Sequence, residues 1–216
     1  PTIAEMRQHV RHWHQSGMSV ALVPTMGALH AGHLSLVKLA KEHAQKVIVS
    51  IFVNPTQFGP KEDFAAYPRM LERDAELLKK ELVDLIFAPE AGEMYPTGFA
   101  TNVHVKGLSN GLCGAHRPGH FDGVATVVAK LLLASQADVA IFGEKDYQQL
   151  AVLRRMVMDL SLPTEIIGAP IARAEDGLAL SSRNAYMTEA ERKVAPLLHA
   201  ELQRLSTALE KTPDQV

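Results

Sequence analysis

The chain has 216 residues, of which 47% are hydrophobic and 21% charged, which suffices for one large domain or for one domain with a small second unit. Its formal net charge of −2 provides no basic surface for nucleic acid or an anionic membrane, so we expect neither as a partner. Cys113 is the single cysteine, which excludes an intrachain disulfide and a cysteine-based metal site. The sequence shows no signal-peptide pattern and no apolar run of about 18 residues, and we therefore expect a cytoplasmic protein.

Short apolar runs rich in β-formers alternate with helical patterns along the chain. The predicted strands are residues 20–23, 47–53, 85–87, 139–142 and 165–167, and the predicted helices are residues 3–15, 34–43, 65–81, 121–134 and 146–160. This alternation predicts an α/β fold, a Rossmann-like doubly wound parallel sheet with helices on both faces. The segment 121–134 is unusually apolar, which favours a core helix and leaves a dimer interface as the alternative.

A second, smaller unit is predicted to begin near Ile171. We divide the chain into a catalytic domain of residues 1–170 and the start of a C-terminal domain of residues 171–216. Residues 179–184 have the composition of a loop, and Thr188 with Glu191 forms a capping-box pattern for a helix that extends toward Glu210. The position of this loop after the sheet suggests a lid over a bound ligand.

Two histidines, His30 and His33, occur where a helix is predicted to begin after the first strand and a turn containing Gly27. A helix N-terminus carries free backbone N–H groups and partial positive charge, so it binds anions. Positions i and i+3 share one helix face, and Gly32 between them allows close backbone approach, so both histidines can reach one phosphate.

Other interpretations of this segment are a metal site and a merely solvent-facing pair. Zinc generally needs a third protein ligand beside His30 and His33, and the flanking sequence offers no evident one. The spacing of Gly27 and Gly32 matches that of a P-loop, but His33 and Leu34 follow instead of Lys and Ser or Thr. Phosphate chemistry is therefore the favoured interpretation.

Polar clusters follow three of the predicted strands: Pro24-Thr25, residues 54–58 and residues 143–146. In open parallel sheets, ligands bind beyond the carboxyl ends of the strands, so these clusters are expected to meet in one crevice. Gln57 lies in the second cluster, and Gln149 lies one helical turn after the third. Because each amide offers two donors and an acceptor, the pair suits a ligand with hydroxyl and carboxylate groups.

Cationic and hydroxyl side chains suitable for a polyphosphate occur at two places. Lys145 could neutralise a triphosphate at a strand-to-helix turn, where Asp146 is either a ligand group or simply the helix cap. In the loop 179–184, Ser182 and Arg183 suit phosphate oxygens, although such a loop is often only a solvated turn.

With these residues placed, the chain resembles known families. Residues 25–33 resemble the signature of adenylate-forming and nucleotidyl-transferring enzymes of the HIGH type. Nearly the whole chain resembles the pantoate–β-alanine ligase family, through these segments in order: Pro-Thr-Met-Gly-Ala-Leu-His-x-Gly-His (24–33), Ile-Phe-Val-Asn-Pro-Thr-Gln-Phe (51–58), Tyr-Pro-Arg (67–69), Met-Tyr-Pro (94–96), His-Phe-Asp-Gly-Val (120–124), Phe-Gly-Glu-Lys-Asp-Tyr-Gln-Gln-Leu (142–150) and Asp-Gly-Leu-Ala-Leu-Ser-Ser-Arg-Asn (176–184). Family members generally continue through a longer C-terminal domain, so this chain is expected to carry only its beginning.

The resemblance implies a two-step reaction that consumes ATP with Mg²⁺ and is carried out by a homodimer. ATP and (R)-pantoate would give pantoyl adenylate and pyrophosphate, and β-alanine would then attack the adenylate to give pantothenate and AMP. It implies catalytic roles for His30, His33, Lys145 and Arg183, with His33 as a proton donor, and leaves the Mg²⁺ ligands unassigned.

The resemblance also assigns binding residues. Residues implied in ATP binding are Pro24, Thr25, Met26, Gly27, Ala28, Leu29, His30, Ala31, Gly32, His33, Gly143, Glu144, Lys145, Asp146, Ala172, Leu180, Ser181, Ser182 and Arg183. Residues implied in pantoate binding are Met26, Asn54, Gln57 and Gln149, with Gln57 also near β-alanine.

Two other functions compete with this one. A nucleotidyltransferase of the same superfamily would act on a phosphorylated acceptor, but it would need basic residues near the second cluster, and Asn54 to Gln57 are neutral. A nucleotide sensor without catalysis would not need transition-state groups such as His33, Lys145 and Arg183.

Overall fold

The computed structural model describes residues 1–60 and 62–211 of the chain, and a parallel β-sheet forms its centre. The strands in these residues are β1 (Val20–Thr25), β2 (Lys46–Ile51), β3 (Leu85–Phe87), β4 (Val139–Gly143) and β5 (Glu165–Ala169). They pair in the order β3-β2-β1-β4-β5 with every pair parallel, which confirms the predicted Rossmann-like sheet. The chain reverses its direction of travel across the sheet between β1 and β4, which opens a crevice at their carboxyl ends.

Helices connect and cover these strands. They are α1 (Ile3–Gln15), α2 (Ala31–His43), α3 (Leu71–Lys80), α4 (Ala91–Met94), α5 (Cys113–His116), α6 (His120–Ser135), α7 (Tyr147–Asp159), α8 (Glu189–Val194) and α9 (Leu197–Lys211). Short 3-10 turns occur at Pro55–Gln57, Glu144–Asp146 and Ser182–Tyr186. Among the described residues, no helix has the length and apolar character needed to cross a membrane.

Strand β1 shows how alternation of side chains builds a core on each face of the sheet. Val20 and Leu22 point into a core that contains apolar residues of α1, α6 and α7, while Ala21 and Val23 point into a core that contains residues of α2 and α3. All four residues are fully buried, which explains why the sequence of this strand is a continuous apolar run. The sheet is therefore held rigidly from both sides, and its carboxyl edge can position a site.

Some predicted boundaries in the first half of the chain are wrong. Strand β2 ends at Ile51 and not at residue 53, because β1, its partner, ends at Thr25 in register with Ile51. Helix α3 begins at Leu71 and not at residue 65, since Pro68 lacks an amide hydrogen and disfavours helical backbone at the residue before it. Residues 63–66 form a turn instead, and Tyr67 directly after it lines the crevice.

The C-terminal part also departs from the predicted single helix. The capping box of Thr188 and Glu191 is present, but the helix is divided into α8 and α9 by a turn at Ala195 and Pro196. The predicted start of a C-terminal domain includes residues 212–216, which lie outside the described residues.

The burial of helix α6 decides between a core helix and a dimer interface as explanations of its apolar sequence. Most of its side chains, from Phe121 to Ser135, are buried within this one chain, against α1, α7 and the sheet. Leu133 is an exception, with 57% of its surface exposed. The core-helix interpretation is therefore confirmed, and the buried faces of α6 are not available for a second copy.

Candidate active site

A cavity of about 260 Å³ lies at the carboxyl ends of β1, β2 and β4. Its wall includes Thr25 after β1, Asn54 after β2 and Gly143 at the end of β4, so the three polar clusters meet there as predicted. A volume of this size is near the lower limit for small-molecule sites. One side of the cavity is polar, and α6 supplies an apolar side through Val124, Val127, Val128 and Leu131.

His30 and His33 together cap the helix that they begin. His30 is the N-cap of α2, and its Nδ1 accepts a hydrogen bond from the backbone N–H of Gly32 at 3.1 Å. His33 Nδ1 accepts from the backbone N–H of His30 at 3.3 Å, and the two ring centroids are 4.1 Å apart. Because each Nδ1 is an acceptor, a neutral ring carries its proton on Nε2. Both histidines are therefore suited to donate a hydrogen bond to a phosphate oxygen in the cavity that they line.

Burial depresses the basicity of both rings. The pKa of His33 is lowered from 6.5 to about 3, first by burial and then by the neighbouring His30 and Lys145. The pKa of His30 is also lowered, by burial and then by Lys145. Both imidazoles are consequently neutral at neutral pH. An anion bound between them would act in the opposite direction and raise both pKa values.

The loop before these histidines is held by a buried carboxylate that sequence analysis missed. Asp74 of α3 is fully buried, and its oxygens accept hydrogen bonds from the backbone N–H groups of Ala28 at 2.8 Å and Leu29 at 2.9 Å. Ala28 has a φ of 50°, and Gly27 has a φ of 84°. A Cβ at Gly27 would lie 3.1 Å from Asp74 Oδ2, so a glycine fits this position for two separate reasons.

Asp74 could not be singled out from the sequence. It lies in the first turn of an amphipathic helix, where acidic residues are common because they complement the helix dipole. Its pairing with a loop 45 residues earlier in the chain depends on the order of the strands.

The 3-10 turn Glu144–Asp146 after β4 contains Lys145, whose positive charge lies at the edge of the cavity. Lys145 and Asp146 both line the cavity, and Lys145 Nζ lies 3.3 Å from Asp146 Oδ1. Asp146 occupies the N-cap position of α7, but its side chain makes no capping hydrogen bond there. The carboxylate is thus not committed to the helix, and Gln149, one turn further, lines the same cavity.

The loop after β5 folds back onto the histidine segment. Ser182 Oγ donates a hydrogen bond to the carbonyl of Ala28 at 3.1 Å. The guanidinium of Arg183 forms two hydrogen bonds with Asp63, at 2.8 and 3.0 Å, and lies over the ring of Tyr67, 5.5 Å from its centroid. The loop that sequence analysis assigned to polyphosphate therefore reaches the cavity, with its arginine paired to a carboxylate.

His120 and Arg117 form a second group of hydrogen-bonded side chains in the cavity wall. His120 Nδ1 donates to the carbonyl of Gln57 at 2.8 Å, so its Nε2 accepts from Arg117 at 3.0 Å. Arg117 also forms a bidentate pair with Glu62, at 2.6 and 2.7 Å. Burial lowers the pKa of His120, which keeps this ring neutral. Arg117 itself lines the cavity.

The predicted site residues as a whole divide into two groups. Those that line the cavity are Pro24, Thr25, Met26, His30, Gly32, His33, Asn54, Gln57, Gly143, Lys145, Asp146, Gln149, Ala172, Leu180, Ser181, Ser182 and Arg183. Those outside its described lining are Gly27, Ala28, Leu29, Ala31 and Glu144. Gly27, Ala28 and Leu29 act through the backbone, since they shape the turn that Asp74 holds.

The metal alternative for His30 and His33 gains no third ligand from the fold. The described residues contain no group of three or more histidine, cysteine, aspartate or glutamate side chains arranged to hold a metal ion. Both Nδ1 atoms are also engaged with backbone N–H groups.

The parallel sheet in this strand order, with a histidine-capped helix and a lysine turn at its switch point, fits the class of nucleotidyl-transferring α/β enzymes whose signature residues 25–33 resemble. A family model described as pantoate-β-alanine ligase matches residues 1–216. The chain belongs to the pantoate–β-alanine ligase family.

Relatives with this activity in their names are similar over most of the chain. The pantothenate synthetase of Caulobacter vibrioides is 62% identical over 208 residues, which is 96% of this chain and 73% of that protein. The crystal structure of pantothenate synthetase from Thermus thermophilus superimposes with a TM-score of 0.87 at 56% identity, over 92% of this chain and 70% of that one.

A third relative carries ligands. The pantoate-β-alanine ligase of Francisella tularensis, complexed with β-γ ATP and β-alanine, superimposes with a TM-score of 0.84 at 40% identity, over 92% of this chain and 77% of that one. These names support the ligase interpretation of the sequence. They give no support to the alternative of a phosphorylated acceptor.

Proposed function

We propose that this chain joins (R)-pantoate and β-alanine in two steps that consume ATP and release AMP and pyrophosphate. The observation that carries this proposal is a cavity lined both by the N-terminus of α2 and by the amides of Gln57 and Gln149. Groups suited to phosphate chemistry and groups suited to binding a small hydroxy acid thus line the same cavity. The name of the Francisella tularensis relative, with β-γ ATP and β-alanine bound, supports the same pair of substrates.

In the first step, a carboxylate oxygen of pantoate attacks the α-phosphorus of ATP, and the bond from that phosphorus to the pyrophosphate oxygen breaks. Negative charge increases on the transferring phosphate and on the leaving pyrophosphate. The backbone N–H groups of α2 and the Nε2–H groups of His30 and His33 are suited to stabilise this charge. Lys145 and Arg183 would hold the β- and γ-phosphates.

In the second step, the nitrogen of β-alanine attacks the acyl carbon of pantoyl adenylate, and the bond from that carbon to the AMP oxygen breaks. The ammonium loses one proton before the attack and one after it. The adenylate is labile in water, so the apolar wall formed by Val124, Val127 and Leu131 would protect it during turnover.

The site has a carboxylate that suits a phosphate-bound Mg²⁺. Asp146 lines the cavity next to Lys145, and its carboxylate is largely exposed and makes no capping bond. Mg²⁺ commonly keeps several waters and uses one or two carboxylates with substrate phosphates, so a single aspartate here is sufficient. When bound, the ion would neutralise charge on the triphosphate, and Asp146 is the residue that we expect to hold it.

The division of the chain and its assembly belong to the same proposal. Residues 1–170 would bind ATP and pantoate, and residues 171–216 would begin a lid domain, since Ala172, Leu180 and Arg183 already lie in the cavity wall. Two chains would associate into a homodimer, which light scattering after size-exclusion chromatography would detect. Cytoplasmic residence remains the expectation from the sequence.

The test is ATP–pyrophosphate exchange with (R)-pantoate and without β-alanine, followed by AMP release when β-alanine is added. We expect exchange to depend on pantoate and to disappear when pantoate is omitted. Exchange with no dependence on pantoate, or a folded protein with no exchange, would refute the proposal.

A further inference from the structure

Asn54 has a fixed amide orientation, because the main chain holds both of its ends. The residue is 1% exposed. Its Oδ1 accepts a hydrogen bond from the backbone N–H of Thr56 at 3.3 Å, and its Nδ2 donates to the carbonyl of Gly123 at 3.1 Å. A backbone N–H only donates and a carbonyl only accepts, so the oxygen and nitrogen of this amide cannot be exchanged.

The orientation of Asn54 determines that of Gln57. The second proton of Asn54 Nδ2 goes to Gln57 Oε1 at 3.1 Å. Because the Asn54 nitrogen only donates, the Gln57 atom that faces it must be the oxygen. Gln57 Nε2 is then directed the other way, and it lies 3.0 Å from the sulfur of Met26 in the cavity wall. A thioether is a weak acceptor, so an oxygen of a ligand would bind this NH₂ group more strongly.

Tyr95 supports this arrangement from outside the cavity. Its hydroxyl donates to Asn54 Oδ1 at 2.7 Å, a shorter contact than the one from the Thr56 hydroxyl at 3.0 Å. The half-buried ring packs edge-on against Phe99, with centroids 5.1 Å apart. Burial raises the pKa of the Tyr95 hydroxyl, which keeps it protonated as a donor.

Close packing of the backbone keeps the turn that carries these amides in place. A Cβ at Gly123 of α6 would lie 2.4 Å from the carbonyl oxygen of Thr56, so α6 approaches the turn at Pro55–Gln57 as closely as a glycine permits. The carbonyl of Gly123 is the acceptor for Asn54. Helix α6 therefore fixes both the position of the turn Pro55–Gln57 and the orientation of the Asn54 amide.

We propose that Tyr95 is a positioning residue: the main chain sets which way the Asn54 amide is oriented, and the short hydrogen bond from the Tyr95 hydroxyl holds this amide in place, so that Gln57 keeps its NH₂ group toward the substrate. This inference rests on the proposed function. It assigns to the Gln57 subsite a group that accepts hydrogen bonds, such as a carboxylate or hydroxyl oxygen of the acid. An ammonium group has only donors and would face the NH₂ of Gln57 unfavourably, so the amine of β-alanine is recognised elsewhere.

The first variant is Tyr95→Phe, which keeps the ring and removes only the hydroxyl. We expect the KM for pantoate in the exchange reaction to rise roughly three- to tenfold, as for loss of a neutral hydrogen bond. The KM for ATP and the melting temperature should change little. The matched control is Tyr147→Phe, because Tyr147 is 68% exposed at the start of α7 and the substitution is chemically the same. The control should leave both KM values unchanged.

The second variant is Gln57→Glu, which reports on the direction of the amide itself. A carboxylate still accepts the hydrogen bond from Asn54 Nδ2, but it presents an acceptor to the cavity where the amide presented donors. We expect the KM for pantoate to rise on the order of a hundredfold, with the melting temperature close to that of the wild type. Retained pantoate affinity would mean that an acceptor faces the substrate, and it would overturn the inference.

The outcomes separate this inference from the proposed function. A wild-type protein without pantoate-dependent exchange would refute the function and the inference together. An active wild type with Tyr95→Phe equal to the Tyr147→Phe control would refute the inference alone. Equal rises in the KM values for pantoate and ATP would also refute it, since they would indicate a general disturbance of the cavity.

Discussion

His33 Nδ1 accepts a hydrogen bond from the backbone N–H of His30, which is the residue that caps the same helix. Through this contact the two histidines perform the structural task that Ser or Thr and Glu perform in an ordinary capping box. The same contact leaves the protonated Nε2 of each neutral ring for a ligand. Helix capping and anion binding are therefore combined in one pair of side chains, and a substitution at either position affects both.

Replacement of His33 by alanine should affect the reaction far more than the binding of ATP. We expect His33→Ala to slow pantoate-dependent ATP–pyrophosphate exchange by roughly a hundredfold or more, because a preorganised donor to the transferring phosphate is lost. The dissociation constant of ATP, measured by calorimetry, should change by only a few fold. Loss of the cap should cost about 1 kcal/mol of stability.

The control for this variant is His43→Ala, at the other end of α2, where the side chain is exposed. It should leave the exchange rate unchanged. An ATP affinity that falls as much as the exchange rate would show that His33 only binds the nucleotide.

Burial of His33 should also make stability depend on pH. Its pKa is about 3 in the folded protein and 6.5 as an ordinary value, so the unfolded chain binds the additional proton between these limits. The stabilisation is therefore complete above about pH 6.5 and is lost as the pH falls toward the folded pKa. On going from neutral pH to about pH 5, the wild type should lose up to about 2 kcal/mol more than His33→Gln, in which this group no longer titrates.

Urea denaturation of both proteins at the two pH values measures this difference. His43→Gln is the matched control, and it should follow the wild type because its side chain is exposed. A His33→Gln variant that loses as much stability as the wild type would contradict the proton linkage.

The fold was largely predictable because a parallel sheet covered on both faces is encoded by short continuous apolar runs that alternate with amphipathic helical patterns. Short apolar runs such as residues 20–23 indicated the strands, their alternation with helical patterns indicated a parallel sheet, and the convergence of the polar clusters followed from parallel pairing. The beginning of α2 was predicted three residues late, because histidine is not one of the usual N-cap residues that sequence analysis searches for.

Contacts that bridge distant parts of the chain were not predictable. Asp74 and Tyr95 each act on a loop about 40 residues or more away, and nothing in their local sequence distinguishes them from ordinary helix and turn residues. Sequence analysis assigned Asn54 to the substrate, yet its amide is committed to Gln57 and to the main chain. Such roles depend on which strands are neighbours, which only the tertiary structure reveals.

The Asp74 carboxylate should be essential for the histidine loop. Asp74→Asn replaces one acceptor by a donor that faces a backbone N–H, so one buried donor of Ala28 or Leu29 loses its partner. We expect a loss of about 2–3 kcal/mol in the free energy of unfolding, measured with urea. Glu72→Gln on the exposed side of α3 is the control and should change stability by less than about 0.5 kcal/mol. Equal stabilities of the two variants would show that the loop does not need this carboxylate.

The pairing of Arg183 with Asp63 leads to the prediction that a substitution increases the affinity of the protein for ATP. The guanidinium is bound bidentately by Asp63, so binding to the phosphates of ATP would compete with this carboxylate. Asp63→Asn weakens the competing pair, which is partly exposed, so the dissociation constant of ATP should fall by about two- to fivefold. The gain should become smaller at high salt, because screening already weakens the pair in the wild type.

The control is Asp176→Asn, which disrupts the pair of Asp176 and Arg192, 2.5 Å apart and outside the described lining of the cavity. It should leave ATP binding unchanged in calorimetric titrations at both salt concentrations. A weaker affinity of Asp63→Asn for ATP would show that the carboxylate supports the nucleotide complex. Asp63 would then be a ligand of the bound nucleotide or its Mg²⁺, and its contact with Arg183 would be part of the assembled site.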